Sequence, residues 1–319
     1  MAGLALPFLL LLLDYLTYPH LAGIGGRTFN TGENGLWLRY TWYFGDTRDA
    51  EIRLLARQLQ ERQVRYAYFH VRFIARDGRL RFRYPEPARR LVTALHRDAP
   101  SVKVIAWIYA GHQPPLGEVN LANAAVRRTM VREARWLASE CGFDGVQWDY
   151  EVCADGDPYF LALMRETRTA LPPGKILSAA VPLWVPAPFR QRGWSESTFA
   201  QVAATCDQLA VMCYDSAMYL PRAYVWLVRQ QAIRVTRAVA RSNPRCRVLL
   251  GVPTYGRGPI SHHAYAENIR LALKGVREGL ASPRADPSVF AGVAPFADYT
   301  TQPEEWETYR QLWLHQPPP

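Results

Sequence analysis

The chain has 319 residues, of which 49% are hydrophobic and 21% are charged, and these proportions exclude a disordered chain. Its formal net charge of +10 rests almost wholly on arginine, because lysine occurs only at Lys103, Lys175 and Lys274. The arginines are dispersed along predicted helices without a long basic run, so we expect no nucleic-acid partner. The length suits one α/β barrel, which typically has about 250 residues.

An apolar run opens the chain. Residues 4–13 have the length of a secretory h-region, and Ala22 and Gly23 could form a small-residue cleavage site. We therefore predict a signal or leader segment over residues 1–28, and a secreted or cell-envelope protein. No Lys or Arg precedes the run, and Asp14 ends it short of the roughly 30 Å of a bilayer core. A packed N-terminal segment in a cytoplasmic protein is the alternative.

Eight β-branched or aromatic runs alternate with amphipathic segments along the rest of the chain. The predicted strands are residues 35–43, 64–74, 102–110, 143–151, 176–184, 208–215, 247–255 and 290–299. The predicted helices are residues 49–62, 86–98, 123–141, 157–171, 196–205, 221–241, 265–279 and 303–314. Eight strands, each followed by a helix, predict an α/β fold: one (β/α)8 TIM barrel over residues 29–315, with a frayed tail at 316–319. An open doubly wound sheet is the alternative, but no glycine-rich phosphate loop follows the first strand.

The segment 144–151, Asp-Gly-Val-Gln-Trp-Asp-Tyr-Glu, places three polar side chains on one face of the fourth predicted strand. Alternate residues of a strand face the same way, so Gln147, Asp149 and Glu151 point together into the sheet or barrel. A buried carboxylate is strongly disfavoured unless it is paired or protonated, and two close carboxyl groups raise one of their pKa values. This pattern predicts a general acid.

Polar residues also end three later strands. They are Tyr214 and Asp215 on the sixth strand, Tyr255 and Arg257 on the seventh, and Asp298 and Tyr299 on the eighth. Catalytic groups of α/β barrels lie at the carboxyl ends of strands, so we expect these side chains to meet Asp149 and Glu151 at one mouth.

Four motifs in order resemble glycoside hydrolase family 18, the chitinases and related endo-β-N-acetylglucosaminidases. Segment 144–151 is similar to the family's Asp-Gly-x-Asp-x-Asp-x-Glu, and residues 212–215 read Met-Cys-Tyr-Asp, like its Met-x-Tyr-Asp. Residues 251–257 read Gly-Val-Pro-Thr-Tyr-Gly-Arg, like Gly-x-Pro-x-Tyr-Gly-Arg, and residues 178–182 read Ser-Ala-Ala-Val-Pro. The resemblance spans residues 36–314.

The resemblance implies roles for these residues. Glu151 would be the acid and then the base, while the substrate's own 2-acetamido oxygen attacks the anomeric carbon. Asp149 would accept the acetamide N–H, Tyr214 would orient the acetamide carbonyl, and Asp215 would hold a distorted sugar. The remaining substrate-binding candidates are Gln147, Met212, Tyr255, Arg257, Trp184, Phe296 and Asp298. Trp107 and Tyr109 could stack on sugars, although barrel packing is the more usual role of any single aromatic residue.

The chain departs from the family pattern at three places. Gln147 replaces the middle Asp, so Asp149 should ionise more readily than it would beside a carboxylate, and we expect an active but slower or pH-shifted enzyme. The third strand lacks Ser-x-Gly-Gly and ends at His112, for which we expect a structural role in a loop. Phe296 lies where the family usually has Trp beneath the scissile sugar.

Residues 257–288 have room for a helix but not for the α+β insertion of many exo-acting chitinases, so we expect an open cleft and endo-type cleavage. Without a separate carbohydrate-binding module, soluble oligosaccharide, glycoprotein glycan or peptidoglycan-like material is a better substrate than insoluble chitin. The expected partner is an N-acetylated oligo- or polysaccharide, with no cofactor and no metal, bound by a monomer.

Three other functions compete with hydrolysis as interpretations of the sequence. A silent sugar-binding lectin is the first, but such members usually lose the acid, and Glu151 is retained. A metal site of Asp144, Asp149 and Glu151 is the second, but Asp144 faces away from the other two. A serine hydrolase would need a Gly-x-Ser-x-Gly elbow, which the sequence lacks. The five cysteines have no metal-site spacing, so we expect buried thiols.

Overall fold

Eight parallel strands, hydrogen-bonded in chain order, alternate with helices in the computed structural model, which describes residues 2–21, 23–24, 27–112, 117–189 and 193–315. The strands are β1 (Asn34–Leu38), β2 (Val64–Phe73), β3 (Lys103–Gly111), β4 (Gly145–Glu151), β5 (Ile176–Val181), β6 (Gln208–Met212), β7 (Arg247–Pro253) and β8 (Phe290–Phe296). They form a nearly closed barrel, which confirms the predicted (β/α)8 fold.

Helices cover the outside of the barrel. They are α1 (Ala2–Leu21), α2 (Thr41–Phe44), α3 (Asp49–Glu61), α4 (Pro85–Asp98), α5 (Ala124–Ser139), α6 (Pro158–Ala170), α7 (Glu196–Ala203), α8 (Pro221–Ser242), α9 (Ile269–Leu280) and α10 (Pro303–Tyr309), and a π-helical turn (Arg310–Leu314) follows. Between β7 and β8 the described chain forms α9 and a short 3-10 turn (Pro287–Val289), so the expected absence of a folded insertion there agrees with these residues.

The seam between β1 and β8 is held by the buried side chain of Asn34. Its Oδ1 accepts from the Val293 backbone N at 3.2 Å and from the indole Nε1 of Trp313 at 2.8 Å. Asp298 N donates to Trp37 O at 3.0 Å further along the seam. Because this buried amide oxygen accepts from both β8 and the π-helical turn, it fixes the register of the closing strands.

The predicted alternation along β4 is observed. Trp148 and Tyr150 point outward, where the Trp148 indole donates to Thr167 Oγ1 of α6 at 3.0 Å and Tyr150 stacks on Phe160 with ring centroids 5.9 Å apart. Gln147 and Asp149 face inward, and both are buried. The outward face is thus packed against helices, which leaves the polar face for the interior of the barrel.

Several strands end earlier than predicted. The first ends at Leu38, because residues 41–44 form the one-turn helix α2, which Gly45 closes with a left-handed φ of 84°. The fifth ends at Val181, the sixth at Met212 and the eighth at Phe296, so the polar residues that follow lie on loops over the mouth.

The first helix, α1, docks on the barrel through its C-terminal half. Asp14 pairs with Arg222 of α8 at 2.5 Å, and the rings of Tyr15 and Tyr265 lie 4.7 Å apart. Lys274 of α9 donates to Gly23 O at 2.8 Å. In the part of the chain that the structure describes, no helix has the length and hydropathy needed to cross a bilayer. Cleavage of residues 1–28 stays a prediction.

All five cysteines are buried and carry free thiols. They are Cys141, Cys153, Cys206, Cys213 and Cys246. Burial raises the pKa of the Cys141 thiol to about 12 and raises the pKa values of Cys153 and Cys213 further. These thiols therefore behave as small core side chains.

Candidate active site

Two carboxyl groups lie side by side at the carboxyl end of β4. Asp149 is 4% exposed, and its Oδ2 accepts from the indole Nε1 of Trp107 on β3 at 2.8 Å. Its other oxygen, Oδ1, is buried and has no hydrogen-bond partner among the described residues. Glu151 is less deeply buried and is hydrogen-bonded by the hydroxyl of Tyr109. A buried acceptor without a donor lowers stability. Asp149 Oδ1 can therefore take a proton or accept a hydrogen bond from a ligand N–H.

Burial raises the pKa values of both carboxyl groups. The pKa of Asp149 is raised well above its usual value by burial first and by the charge of Glu151 second, and the Trp107 bond opposes this. Burial also raises the pKa of Glu151, while the Tyr109 hydroxyl lowers it and Asp215 raises it. Because two neighbouring carboxylates repel each other in a dry site, the pair retains a proton to higher pH than either group would alone.

Gln147 belongs to a neutral chain of hydrogen bonds across the inside of the barrel. Its Oε1 accepts from Trp37 Nε1 at 2.9 Å, and its Nε2 donates to Ser178 Oγ at 3.0 Å. Ser178 Oγ donates in turn to Gln208 Oε1 at 2.9 Å, and Tyr68 also donates to that oxygen. An amide can accept from Trp37 and donate to Ser178 at once, whereas a carboxylate can only accept. The need for one acceptor and one donor at this position explains why glutamine fits there better than a carboxylate.

Replacing Gln147 with aspartate should lower the free energy of unfolding by about 1–3 kcal/mol, because the donor to Ser178 is lost in a buried site. It also adds a carboxyl group beside Asp149, which should move the pH–rate profile toward higher pH. Urea unfolding and rates on a fluorogenic N-acetylglucosamine oligomer measure the two effects. Gln147→Glu, which keeps the side-chain length, separates charge from shape. Identical pH–rate profiles for the native chain and both variants would contradict the expectation.

Aromatic rings surround Phe296 above these carboxyl groups. Phe296 stacks on Tyr214 with centroids 4.7 Å apart, and its ring meets Trp37 at 5.5 Å, Trp107 at 6.0 Å and Tyr255 at 6.1 Å. Phe296 is only partly buried. Its exposed part therefore forms an apolar floor at the carboxyl end of β8.

Asp215 is supported by a buried pair that sequence reasoning missed. Its Oδ1 accepts from Tyr255 OH at 2.7 Å and lies 3.8 Å from His262 Nδ1, which is 3.2 Å from Glu267 Oε2. His262 Nε2 faces Tyr255 O at 3.0 Å, and Glu267 Oε1 accepts from Ser216 N at 3.0 Å. His262 and Glu267 lie on a loop with no motif-like spacing, so nothing in the sequence distinguished them.

The same three side chains have the composition of a metal site. Ligand atoms of Asp215, His262 and Glu267 all lie within 4.8 Å of one another. We interpret the group as a hydrogen-bonded support for Asp215. Oε1 of Glu267 accepts from backbone and hydroxyl donors, and its Oε2 faces His262. Burial raises the pKa of Glu267, and the nearby His262 opposes this.

Three other predicted residues lie at or just beyond the carboxyl ends of β6, β7 and β8. Met212 packs beside the inner aromatic cluster, and Asp298 Oδ1 accepts from Arg39 N at 3.2 Å at the β1–β8 seam. Arg257 is exposed on the loop after β7. Asp144 lies at the opposite end of β4, where its Oδ2 meets His96 Nε2 at 2.9 Å and Val104 N at 2.8 Å, so it does not join Asp149 and Glu151.

Trp184 was expected to bind substrate, and the structure places it elsewhere. Its ring packs in the outer hydrophobic layer beneath Arg234 of α8, 4.2 Å from the guanidinium carbon, and Gln231 bonds its backbone N and O. The reason is that β5 ends three residues earlier than predicted. Trp184 therefore lies beyond the strand, and the direction of its side chain does not follow the alternation of strand residues. His112 packs beside Tyr150, and its backbone N donates to Glu151 O, which fits the expected loop role.

A model of the glycosyl hydrolases family 18 matches residues 39–311. Among solved structures, the spore cortex-lytic enzyme SleL of Bacillus cereus is 13% identical, with 88% of this chain and 74% of that chain covered and a TM-score of 0.60. A plant class V chitinase mutant from Cycas revoluta in complex with (GlcNAc)3 is 13% identical (88% and 98% covered, TM-score 0.58), and a chitinase from Chromobacterium violaceum is 15% identical (89% and 100%, 0.57). No curated protein matches the chain significantly in sequence.

Proposed function

The chain belongs to glycosyl hydrolases family 18, and from that premise we propose that it cleaves β-1,4 bonds of N-acetylglucosamine-containing glycans by a retaining, substrate-assisted mechanism. The observation that carries this proposal is the buried Oδ1 of Asp149 beside Glu151, which has no hydrogen-bond partner in the described part of the chain. An acetamide N–H placed there would satisfy that oxygen and leave the acetamide carbonyl free to react.

In the proposed first step, Glu151 donates its proton to the glycosidic oxygen as the C1–O bond breaks. The acetamide carbonyl oxygen of the same sugar forms a bond to C1, and Asp149 stabilises the positive charge that develops on the acetamide nitrogen. In the second step, Glu151 takes a proton from water, whose oxygen attacks C1 and reopens the acetamide. The two displacements at C1 retain its configuration.

The side chains around the two carboxyl groups support these roles. Burial raises the pKa of Glu151, which favours the protonated form that a general acid needs. Tyr214 and Phe296 form the adjoining apolar floor, and Asp215 is held by Tyr255 at its edge. The Cycas revoluta chitinase mutant binds (GlcNAc)3, so oligomers of N-acetylglucosamine are the substrates to test first.

The test compares fluorogenic N-acetylglucosamine oligomers with the same oligomers lacking the acetyl groups. We expect at least about 100-fold slower hydrolysis without the acetamide, because the intramolecular nucleophile is lost. NMR of the first product should show the β anomer. An α anomer, or equal rates with both substrates, would overturn the mechanism. Binding of the oligomers without turnover would make the chain a sugar-binding protein instead.

A further inference from the structure

A second cavity opens beside the catalytic mouth, at the carboxyl ends of β1 and β2. It has a volume of about 410 Å³ and is lined by Arg39, Tyr40, Thr41, His70, Arg72 and Tyr299. We call it the arginine cavity. Two of its lining side chains are cationic and none is acidic. His70 stacks on Trp107, whose indole donates to Asp149, so one aromatic ring separates the cavity from the catalytic carboxyl groups.

Arg72 is held in an unusual backbone conformation. Its φ is 74°, and the register between β2 and β3 shifts between His70 and Phe73. A bulge of this kind redirects side chains at the rim of a barrel, and a left-handed non-glycine residue is disfavoured unless the surroundings impose it. The result places the Arg72 guanidinium carbon 4.3 Å from the ring centroids of both Tyr40 and Phe73. The guanidinium is thus fixed in position between two aromatic rings.

Two nitrogen atoms of the cavity lack partners. Arg72 Nε and His70 Nε2 are both buried without a hydrogen bond among the described residues, and within that part of the chain Arg72 forms no ion pair. Burial, with the charge of Arg72, lowers the pKa of His70 to about 3, so the imidazole is neutral and can donate one N–H. The Arg72 Nε–H requires an acceptor, since a buried donor without one is destabilising, and His70 Nε2 requires one in the tautomer that carries its proton on that nitrogen.

Arg39 supplies the second cation. Its guanidinium carbon lies 5.4 Å from the ring centroid of Tyr299, which also lines the cavity. Asp298 accepts from the Arg39 backbone N and lowers the local positive charge, but it does not line the cavity. A guanidinium matches the oxygens of a carboxylate or sulfate in a planar, two-point geometry.

We propose that the arginine cavity is a subsite for an anionic substituent, so that the preferred substrate is an N-acetylated glycan in which a neighbouring sugar carries a carboxylate or a sulfate ester. The inference rests on the proposed function and narrows its substrate class. Cationic, aromatic walls with an unpaired guanidinium N–H suit a charged sugar substituent better than the uncharged hydroxyls of a plain N-acetylglucosamine polymer.

The test uses three matched oligosaccharides: one with a carboxylate-bearing sugar, its carboxyl-reduced alcohol and an O-sulfated counterpart. For the native chain we expect kcat/KM about tenfold higher on a charged substrate than on the alcohol, as a charge-assisted hydrogen bond allows. In Arg72→Gln the ratio should fall toward one, and Arg57→Gln, on the exposed face of α3, should keep the native ratio. The ratio is insensitive to a general loss of active protein.

The carboxylate and sulfate arms identify which anion is preferred, and either preference supports the subsite. Raising the salt concentration should reduce the native ratio even if Arg72→Gln fails to fold. Equal kcat/KM on charged and neutral substrates, or a preference that Arg72→Gln retains, would overturn the proposal. If no substrate is hydrolysed, the proposed function fails, and the same ratio taken from equilibrium binding constants decides the subsite separately.

Discussion

Replacing Glu151 with glutamine should reduce kcat on N-acetylglucosamine oligomers by about 10³-fold, because an amide cannot donate the proton that the departing glycosidic oxygen needs. The loss should be smaller for a fluorogenic aglycone of low pKa, since that leaving group needs less protonation. Steady-state rates on both substrates measure the difference. Oligosaccharide binding should survive, because glutamine keeps the shape of the side chain.

A matched control is available on α5. Glu133 is another buried carboxyl group with a pKa raised by burial, and it lies 3.6 Å from Arg83 on the outside of the barrel. Glu133→Gln should leave kcat unchanged although it removes the same kind of group. An equal loss in both variants would show that the effect of Glu151→Gln is a loss of folded protein, and full activity in Glu151→Gln would exclude Glu151 as the acid.

Asparagine at position 149 should lower kcat by about 10²-fold and at the same time stabilise the protein at neutral pH. Activity falls because the charge that stabilises the acetamide intermediate is removed. Stability rises because the pKa of Asp149 is raised in the folded chain, so its contribution is favourable below the unfolded pKa of about 4 and is lost as pH increases through the folded pKa. Asparagine does not titrate, so the variant does not lose this stability as the pH increases. Melting temperatures at pH 4 and pH 7 measure this difference.

Asp144→Asn provides the comparison on the same strand. Asp144 lies at the other end of β4 and accepts from Val104 N at 2.8 Å, so its replacement should leave kcat unchanged. An Asp149→Asn variant that is inactive and also less stable than the native chain at pH 7 would indicate a structural role for Asp149 instead. The combination of lower activity and higher stability is typical of a residue kept for function.

Much of the barrel followed from periodicity. The two-residue alternation in segment 144–151 predicted which side chains of β4 face inward, and the end of the sixth strand predicted Asp215, whose charge acts on Glu151. The end of β5 was predicted too late, at Trp184, because the apolar pattern continues three residues beyond Val181, the last residue of the strand. A local pattern carries no information about where a strand loses its neighbours.

The partners of the carboxyl groups were harder to predict. Trp107 and Tyr109 were considered as sugar-stacking or packing residues, and the structure shows that they donate to Asp149 and Glu151. Trp37, His262 and Arg72 contact residues 30 or more positions away or depend on an irregular backbone, which no sequence spacing encodes. Their roles arise from barrel closure, which brings β1, β2 and the loop after β7 around β4.

The buried thiols allow local opening of the native structure to be measured at several places in the chain. Cys141, Cys153 and Cys213 lie at three separate junctions between strands and helices, and Cys206 and Cys246 lie at a fourth site, where their Sγ atoms are 3.8 Å apart. A thiol reagent that cannot reach them in the native state reacts only when the local structure opens, so each modification rate reports the opening of one of these four sites. Mass spectrometry of partly labelled protein would then rank the junctions by kinetic stability without introducing any foreign probe.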